Sequence, residues 1–201
     1  MTLEASQTPG RRVGIVGGGQ LARMMAEAAP AIGISITVLD PTPDAPASEF
    51  AAQIVAEYDD AAALRQLADA SDVVTLDIEA VSAASLSALE AARVSVAPSS
   101  RVLGIIQDKL LQKNFLASAG LPAGDFVDVD SAAALRDFGL PCVLKARRHG
   151  YDGRGVKLVR TEAEALEFLA LGPCMAERVV DIDRELAIMI ARSARGETAL
   201  Y

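Results

Sequence analysis

The chain has no tryptophan, and aromatic residues make up only 4% of its 201 positions. Its core must therefore come mostly from Ala, Val, Leu and Ile, and an apolar share of 51% is ample for one. It has one histidine, His149, with no evident base partner in the sequence, so it reads as a loop residue rather than a catalyst. There are two cysteines, Cys142 in "LPCVLK" and Cys174 in "GPCMAE", and no C-x-x-C. Both read as reduced core thiols, and no metal site is assigned. No broad basic face is available: the net charge is −8, which disfavours a general nucleic-acid binder. No apolar run is long enough to span a membrane. The start, "MTLEASQTPGRR", has no hydrophobic stretch behind a positive charge and shows no secretory signal. Repeats and low-complexity tracts are also missing. A soluble cytoplasmic protein is the expectation.

What is present is alternation. "RVGIVG" is β-rich and ends in glycine, "QLARMMAEAAPAIG" has helical spacing of Leu21, Met24 and Met25, and "ISITVLD" is a second buried strand. This βαβ unit implies a parallel sheet with helices on its faces. "AAQIVAE", "DVVTLDI" and "VSVAP" continue the strands, with helices at "DAAALRQLADA" and "SAASLSALEAA". The expectation is an α/β doubly wound domain over 1–100. Then the pattern changes. Consecutive helices fill "SSRVLGIIQDKLLQKNFLASAG" and end at Gly120. Beyond them come strand "DFVDV", a helix started by Ser131, strands "PCVLKA" and "VKLVR", and a helix opened by Thr161 and Glu164 at capping-box spacing. "CMAERVV" and "RELAIMIARS" read as strands, and "RSARGE" as a hairpin leading into "GETALY". Residues 101–201 thus read as an incomplete α+β domain. The chain ends at Tyr201 inside a predicted strand, which is expected of a sequence cut short.

Chemistry concentrates in a few places. Gly17-x-Gly19-x-x-Ala22, with Asp40 at the end of the second strand, matches a relaxed dinucleotide fingerprint. Glycines there let backbone N–H groups approach a phosphate, although a tight βα turn without any dinucleotide needs the same glycines. "LDPTPDAPA" has three prolines and predicts an extended, non-helical connector. Asp77 and Glu79 lie two apart at a strand's C-terminal end, where open α/β sheets bind ligands; spacing does not choose between them. Lys109 and Lys113 share one helical face, which is usually only a solvated face. Lys145 follows a strongly apolar strand and must either snorkel or meet an anion. From 145 to 160 stand Lys145, Arg147, Arg148, Arg154, Lys157 and Arg160 against one acid, Asp152, beside Gly150, Gly153 and Gly155. Such a loop suits folding over a polyphosphate. Glu177 and Glu185 are expected on separate strands; Glu177, Arg178, Val179 and Val180 read either as ordinary strand residues or, next to a phosphate loop, as a strand edge that holds an adenine through backbone groups with an acid on the ribose.

In this order, "GGGQLARM", "LDPTPDAPA", "LDIEAV", "QDKLLQK", "VLKARRHGYDGRG" and "AERVVDIDRE" resemble the ATP-grasp 5-(carboxyamino)imidazole ribonucleotide synthase family of purine biosynthesis. The resemblance covers nearly all of the chain after its first dozen residues. It implies a pre-ATP-grasp parallel-sheet domain followed by part of an ATP-grasp domain. It also implies ATP-dependent joining of bicarbonate to aminoimidazole ribonucleotide through carboxyphosphate. Under it, Lys109 and Lys145 resemble nucleotide-phosphate lysines. Gly150, Tyr151, Asp152, Gly153, Arg154, Gly155 and Val156 form the loop over the phosphates. Glu177, Arg178, Val179 and Val180 resemble the adenine linker, and Glu185 the ribose acid. Gly19, Gln20, Leu21, Glu79, Tyr151 and Arg154 would face the ribonucleotide, with Arg154 also catalytic. The cofactor implied is ATP with Mg2+, whose ligands the family carries further along than Tyr201, and a homodimer is implied for the full-length protein.

Two departures follow from the same comparison of motifs. Ala80 stands where the family often has a polar residue after the glutamate. Without the later acidic pair, the 201-residue form is expected to show no ligase turnover. The rival readings are another ATP-grasp carboxylate–amine ligase such as the formate-using glycinamide ribonucleotide enzyme, a nicotinamide oxidoreductase, and a non-catalytic nucleotide-binding or interaction module.

Overall fold

The computed structural model describes residues 11–148, 150, 155–193 and 195–201. Packing divides the chain into two compact units. The first runs to Leu121 and includes Arg147 and Arg148; the second comprises Pro122–Ala146 and the residues from Gly150 onward.

In the first unit, β1 (Arg11–Val16) leads into α1 (Gln20–Ala28) and back to β2 (Ile34–Asp40). Then follow β3 (Ala52–Val55), α2 (Ala61–Asp69), β4 (Val73–Leu76), α3 (Ala83–Ala91), α4 (Ser100–Ile106) and α5 (Lys109–Ser118). The strands form a parallel sheet in the order β3-β2-β1-β4. Strand periodicity sends neighbouring residues to opposite faces, so one face receives Val16 and Leu39 and the other Ile15 and Val38. The first packs against Leu64, Leu67, Leu86 and Leu103 of the helices; the second packs against Ala22 and Ala47. Truncating Leu67 or Leu86, both fully buried, would cost about 2–5 kcal/mol each. The helices start where side-chain acceptors cap them: Asp60, Ser82, Ser99 and Asp108 accept from backbone N–H groups of α2, α3, α4 and α5. Gly120, at φ 70°, follows α5 as expected.

Two expectations for this unit are corrected, for "VSVAP" and for the proline segment, and the helix marked by Leu21, Met24 and Met25 is present as α1. "VSVAP" is not a strand but a single bridge between Val74 and Val96, where the Val74 N–H donates to Ser95 O and the Ala97 N–H donates to Val74 O. Leu21, Met24 and Met25 are exposed, and α1 instead buries Ala22 and Ala26, whose small side chains let it lie close to the sheet. The proline segment is not wholly extended, because Pro46–Glu49 forms a turn of 3-10 helix with Pro46 at its start.

The second unit contains β5 (Phe126–Val129), α6 (Ala132–Phe138), β6 (Cys142–Ala146), β7 (Val156–Val159), α7 (Glu162–Leu169), β8 (Cys174–Arg178), β9 (Ile190–Arg192) and β10 (Thr198–Leu200). Its main sheet is antiparallel, in the order β5-β8-β6-β7. Val129, Leu135, Leu144, Val159 and Phe168 build its core, together with both cysteines. Ser131 caps α6, and Thr161 with Glu164 completes a capping box on α7. Cys142 and Cys174 are buried free thiols. Burial pushes the Cys174 thiol up to about 11, helped by the charge of Asp128 and by Cys142, so it stays neutral and unreactive.

β9 and β10 pair as the expected hairpin. The strand foreseen from Arg184 onward shortens to Ile190–Arg192, because β10 offers only three pairing positions. Glu185 is accordingly on no strand. Among the described residues, no helix is long and apolar enough to cross a membrane.

Candidate functional site

In the first unit, the chain turns from β1 into α1 through Gly17, Gly18 and Gly19. Gly17 has φ 102°, a backbone conformation that side chains disfavour. The Gly18 N–H donates to Asp40 Oδ2 at 2.8 Å, and the Gly19 N–H donates to Asp77 Oδ2 at 2.9 Å. The turn is therefore ligated by the protein's own carboxylates.

Asp40 is 6% exposed and fully engaged. Its Oδ1 accepts the Thr42 N–H at 2.8 Å, and its Oδ2 also accepts the Tyr58 hydroxyl at 3.1 Å. Burial first, then the charge of Asp40 and its hydrogen bond, pushes the Tyr58 phenol up to about 12. The acid that the fingerprint would assign to a ribose thus holds the loop, and the two N–H groups that would meet a pyrophosphate are occupied. The turn is not built for a dinucleotide.

The proline segment lies against the same turn. The Ala47 N–H donates to Gly18 O at 2.9 Å, and a Cβ on Gly18 would come within 2.9 Å of Ala45 Cβ. Gly19 is the N-cap of α1 and offers no side-chain cap, so the helix opens at Gln20 and Leu21, both exposed.

The structure separates the two acids after β4. Asp77 is spent on Gly19, whereas Glu79 sits exposed in the following turn. Sequence reasoning missed Asp108, which is 4% exposed. It caps α5 through the N–H groups of Leu110 and Leu111, at 3.0 and 3.3 Å. It also receives Arg147 in a two-armed pair, Nε to Oδ1 at 3.1 Å and Nη2 to Oδ2 at 2.7 Å. Burial pushes its carboxyl up. The Arg147 hydrogen bonds, the two α5 amides and the Arg147 charge outweigh that and hold it below its ordinary value. A carboxylate beside "KLLQK" was visible in the sequence, but its partner lies 39 residues away.

In the second unit, Lys145 meets an anion from its own chain: Nζ lies 2.8 Å from Glu177 Oε2, both partly buried on the neighbouring strands β6 and β8. β8 is interior, with Glu177 opposite both Phe126 and Val143, so the expected strand edge for an adenine is absent there. The Arg178 N–H donates to Asp125 O at 3.0 Å, and its guanidinium lies over the Phe138 ring at 4.4 Å. Only Val179 and Val180, exposed and past the strand, leave the ladder. Glu185 is exposed and distinct from the Lys145–Glu177 pair.

Around the glycine loop, the Ala146 N–H donates to Gly155 O at 2.7 Å, closing the β6–β7 connection at its neck. Gly155 has φ 72°, and a Cβ on it would meet Ala146 Cβ at 3.0 Å and Gly150 Cα at 3.3 Å. Val156 opens β7. His149, Tyr151, Asp152, Gly153 and Arg154 lie outside the described residues. Among the described residues, no cluster of three or more His, Cys, Asp or Glu side chains fits a metal ion. A groove of about 440 Å³ between α2 and α3, lined by Ala61, Leu64, Ala84, Ala88 and Leu89 among others, contains none of the candidate residues.

Residues 11–107 match the ribonucleotide synthetase preATP-grasp domain family, and residues 114–201 match the ATP-grasp domain family. The N5-carboxyaminoimidazole ribonucleotide synthase of Pseudomonas aeruginosa is 40% identical over 197 residues, covering 94% of this chain and 54% of the relative. Among solved structures, the N5-carboxyaminoimidazole synthetase of Staphylococcus aureus complexed with ADP superposes with a TM-score of 0.90 at 33% identity, covering 96% of this chain and 53% of that one. The N5-carboxyaminoimidazole synthase of Aspergillus clavatus, in complex with ADP and 5-aminoimidazole ribonucleotide, gives 0.84 at 31% identity, covering 96% and 52%. The chain spans about half the length of the relatives it matches.

Proposed function

We propose that this chain, whose residues 11–107 and 114–201 match the ribonucleotide synthetase preATP-grasp and ATP-grasp domain families, serves the ATP-dependent carboxylation of aminoimidazole ribonucleotide by bicarbonate. The products are 5-(carboxyamino)imidazole ribonucleotide, ADP and phosphate, as a step of de novo purine biosynthesis. The observation that carries this reading is the Lys145–Glu177 pair: an ammonium at the end of an apolar strand, 2.8 Å from a carboxylate on the neighbouring strand. A cation so placed supports a phosphate, and the exposed Val179 and Val180 directly after Glu177 suit the flat face of an adenine.

In the reaction, a bicarbonate oxygen attacks the γ-phosphorus of ATP, and the bond to ADP breaks to give carboxyphosphate. The ribonucleotide amine then attacks its carbon, phosphate leaves with the C–O bonding pair, and the amine loses a proton. Lys109 and Lys145 stabilise the charge that develops on the transferring phosphoryl oxygens. Gly150, Tyr151, Asp152, Gly153, Arg154, Gly155 and Val156 cover the phosphates, with Arg154 touching the reacting groups. Val179 and Val180, which leave the ladder, hold the adenine, Glu177 and Arg178 lead the chain to it, and Glu185 holds the ribose. The ribonucleotide is held by Gly19, Gln20, Leu21 and Glu79, together with Tyr151 and Arg154.

Magnesium beside ATP, a homodimer and a cytoplasmic setting complete the proposal. The work proposed for this chain's residues is binding and orientation of the two substrates. Calorimetric titration tests the reading. ADP and aminoimidazole ribonucleotide are expected to bind, whereas glycinamide ribonucleotide and nicotinamide dinucleotides are not. Binding of neither expected ligand, or preference for glycinamide ribonucleotide, refutes it.

A further inference from the structure

Gln107 and Asp108 are adjacent residues between α4 and α5, and together they reach three segments of the first unit. The Gln107 side-chain amide donates to Glu79 O at 2.7 Å and to Val81 O at 2.8 Å. Two carbonyl acceptors fix which end of the amide faces them, since only the nitrogen can serve both. The turn bearing Glu79 is thereby tied down at two points. Asp108 grips the Arg147 guanidinium and starts α5, with the Arg148 Nε also within 3.7 Å. The Lys109 N–H donates to Arg147 O at 2.9 Å, so the backbone that bears Lys109 is locked to the chain entering the basic loop.

We propose that Gln107 and Asp108 are the positioning residues of this site, with separate duties: Gln107 sets Glu79 for the ribonucleotide, and Asp108 sets Lys109 and Arg147 for the nucleotide phosphates. Neither touches a ligand in this scheme. The inference rests on the function proposed above. It goes further because the dipeptide directly before Lys109, to which no motif assigns a role, becomes the element that aligns both halves of the substrate pair.

Two nearly isosteric variants test it in the chain as it stands. Gln107→Glu removes both donations and sets a carboxylate against two carbonyls. Asp108→Asn keeps an acceptor for the α5 amides but loses the charge that holds Arg147. Titration with ADP and, separately, with aminoimidazole ribonucleotide should show a split. Gln107→Glu should weaken ribonucleotide binding by about tenfold or more and ADP binding by less than about twofold; Asp108→Asn should do the reverse. Hydrogen exchange should quicken at 79–81 in the first variant and at 147–148 in the second.

A purely structural role would weaken both ligands together, and that outcome overturns the inference, as does unchanged binding or unchanged local exchange. If the unaltered chain binds neither ligand, the functional reading itself falls and the inference with it. That result is distinguishable from failure in the variants alone.

Discussion

Replacing Asp40 by Asn tests whether the glycine turn is held by a carboxylate rather than by its own conformational preference. The carboxylate serves three donors, the Gly18 and Thr42 N–H groups and the Tyr58 hydroxyl, from a side chain in a residue only 6% exposed. An amide has one oxygen, so turning it toward Gly18 sets its NH2 against the Thr42 N–H, and the opposite rotamer leaves Gly18 facing a donor. The Tyr58 hydroxyl can rotate to accept instead, but the backbone donors cannot. Losing one charge-assisted bond and stranding one partly buried donor should cost about 2–4 kcal/mol. With a urea slope of about 2 kcal/mol per molar, the midpoint of the first unit should fall by roughly 1–2 M.

The assay is urea unfolding followed by far-ultraviolet circular dichroism, with exchange at the Gly18 and Thr42 amides to locate the loss. Tyr58→Phe alone should be milder, and nearly silent in the Asp40→Asn background. The phenol offers a second readout: raised from 10.0 to about 12, it contributes stability that is present below pH 10 and lost as pH rises toward 12. Asp40→Asn should bring that ionisation down, as seen by ultraviolet difference spectroscopy. A midpoint shift below about 0.3 M, with an unmoved phenol, would refute the reasoning.

Gly18→Ala would set a Cβ 2.9 Å from Ala45 Cβ and 3.1 Å from Asp40 Cβ, neither on a flexible end; a loss of about 1–3 kcal/mol in the same urea assay is expected. Asp108 has a depressed pKa, so its stabilisation is present above the ordinary value of 3.8 and lost as pH falls through its lower folded value. Acid titration of the unfolding midpoint should therefore be flatter in Asp108→Asn. Lys145→Ala should weaken ADP binding by about tenfold or more in calorimetric titration; unchanged affinity would remove Lys145 from the nucleotide site.

Local signals in the sequence were legible where cause and effect sit within a few residues. Thr161 and Glu164 cap each other's backbone as spaced, Ser131 starts α6, and the βαβ alternation places β1, α1 and β2. The readings that failed depend on partners far along the chain. The helical spacing of Leu21, Met24 and Met25 did mark α1, but which of its faces packs is settled by Ala22 meeting Ala47. "VSVAP" has strand composition and forms one bridge, and Glu185 lies on no strand among the described residues. The acids were the hardest to assign. Asp77 and Asp108 spend their charge on groups 58 and 39 residues away, distances that no motif spacing encodes. Asp40, which the fingerprint spacing does single out, holds the Gly18 N–H 22 residues away in place of a ribose.

The glycine turn, finally, bears on the thermodynamics of recognition. Where a phosphate-cradling loop gains order from the anion it binds, that ordering is charged against affinity as lost entropy. Here Asp40 and Asp77 stand where an external anion would, so the loop reaches its working shape before any ligand arrives. A ligand settling at the opening of α1 should then meet a surface already frozen, and its binding entropy should carry little contribution from the loop.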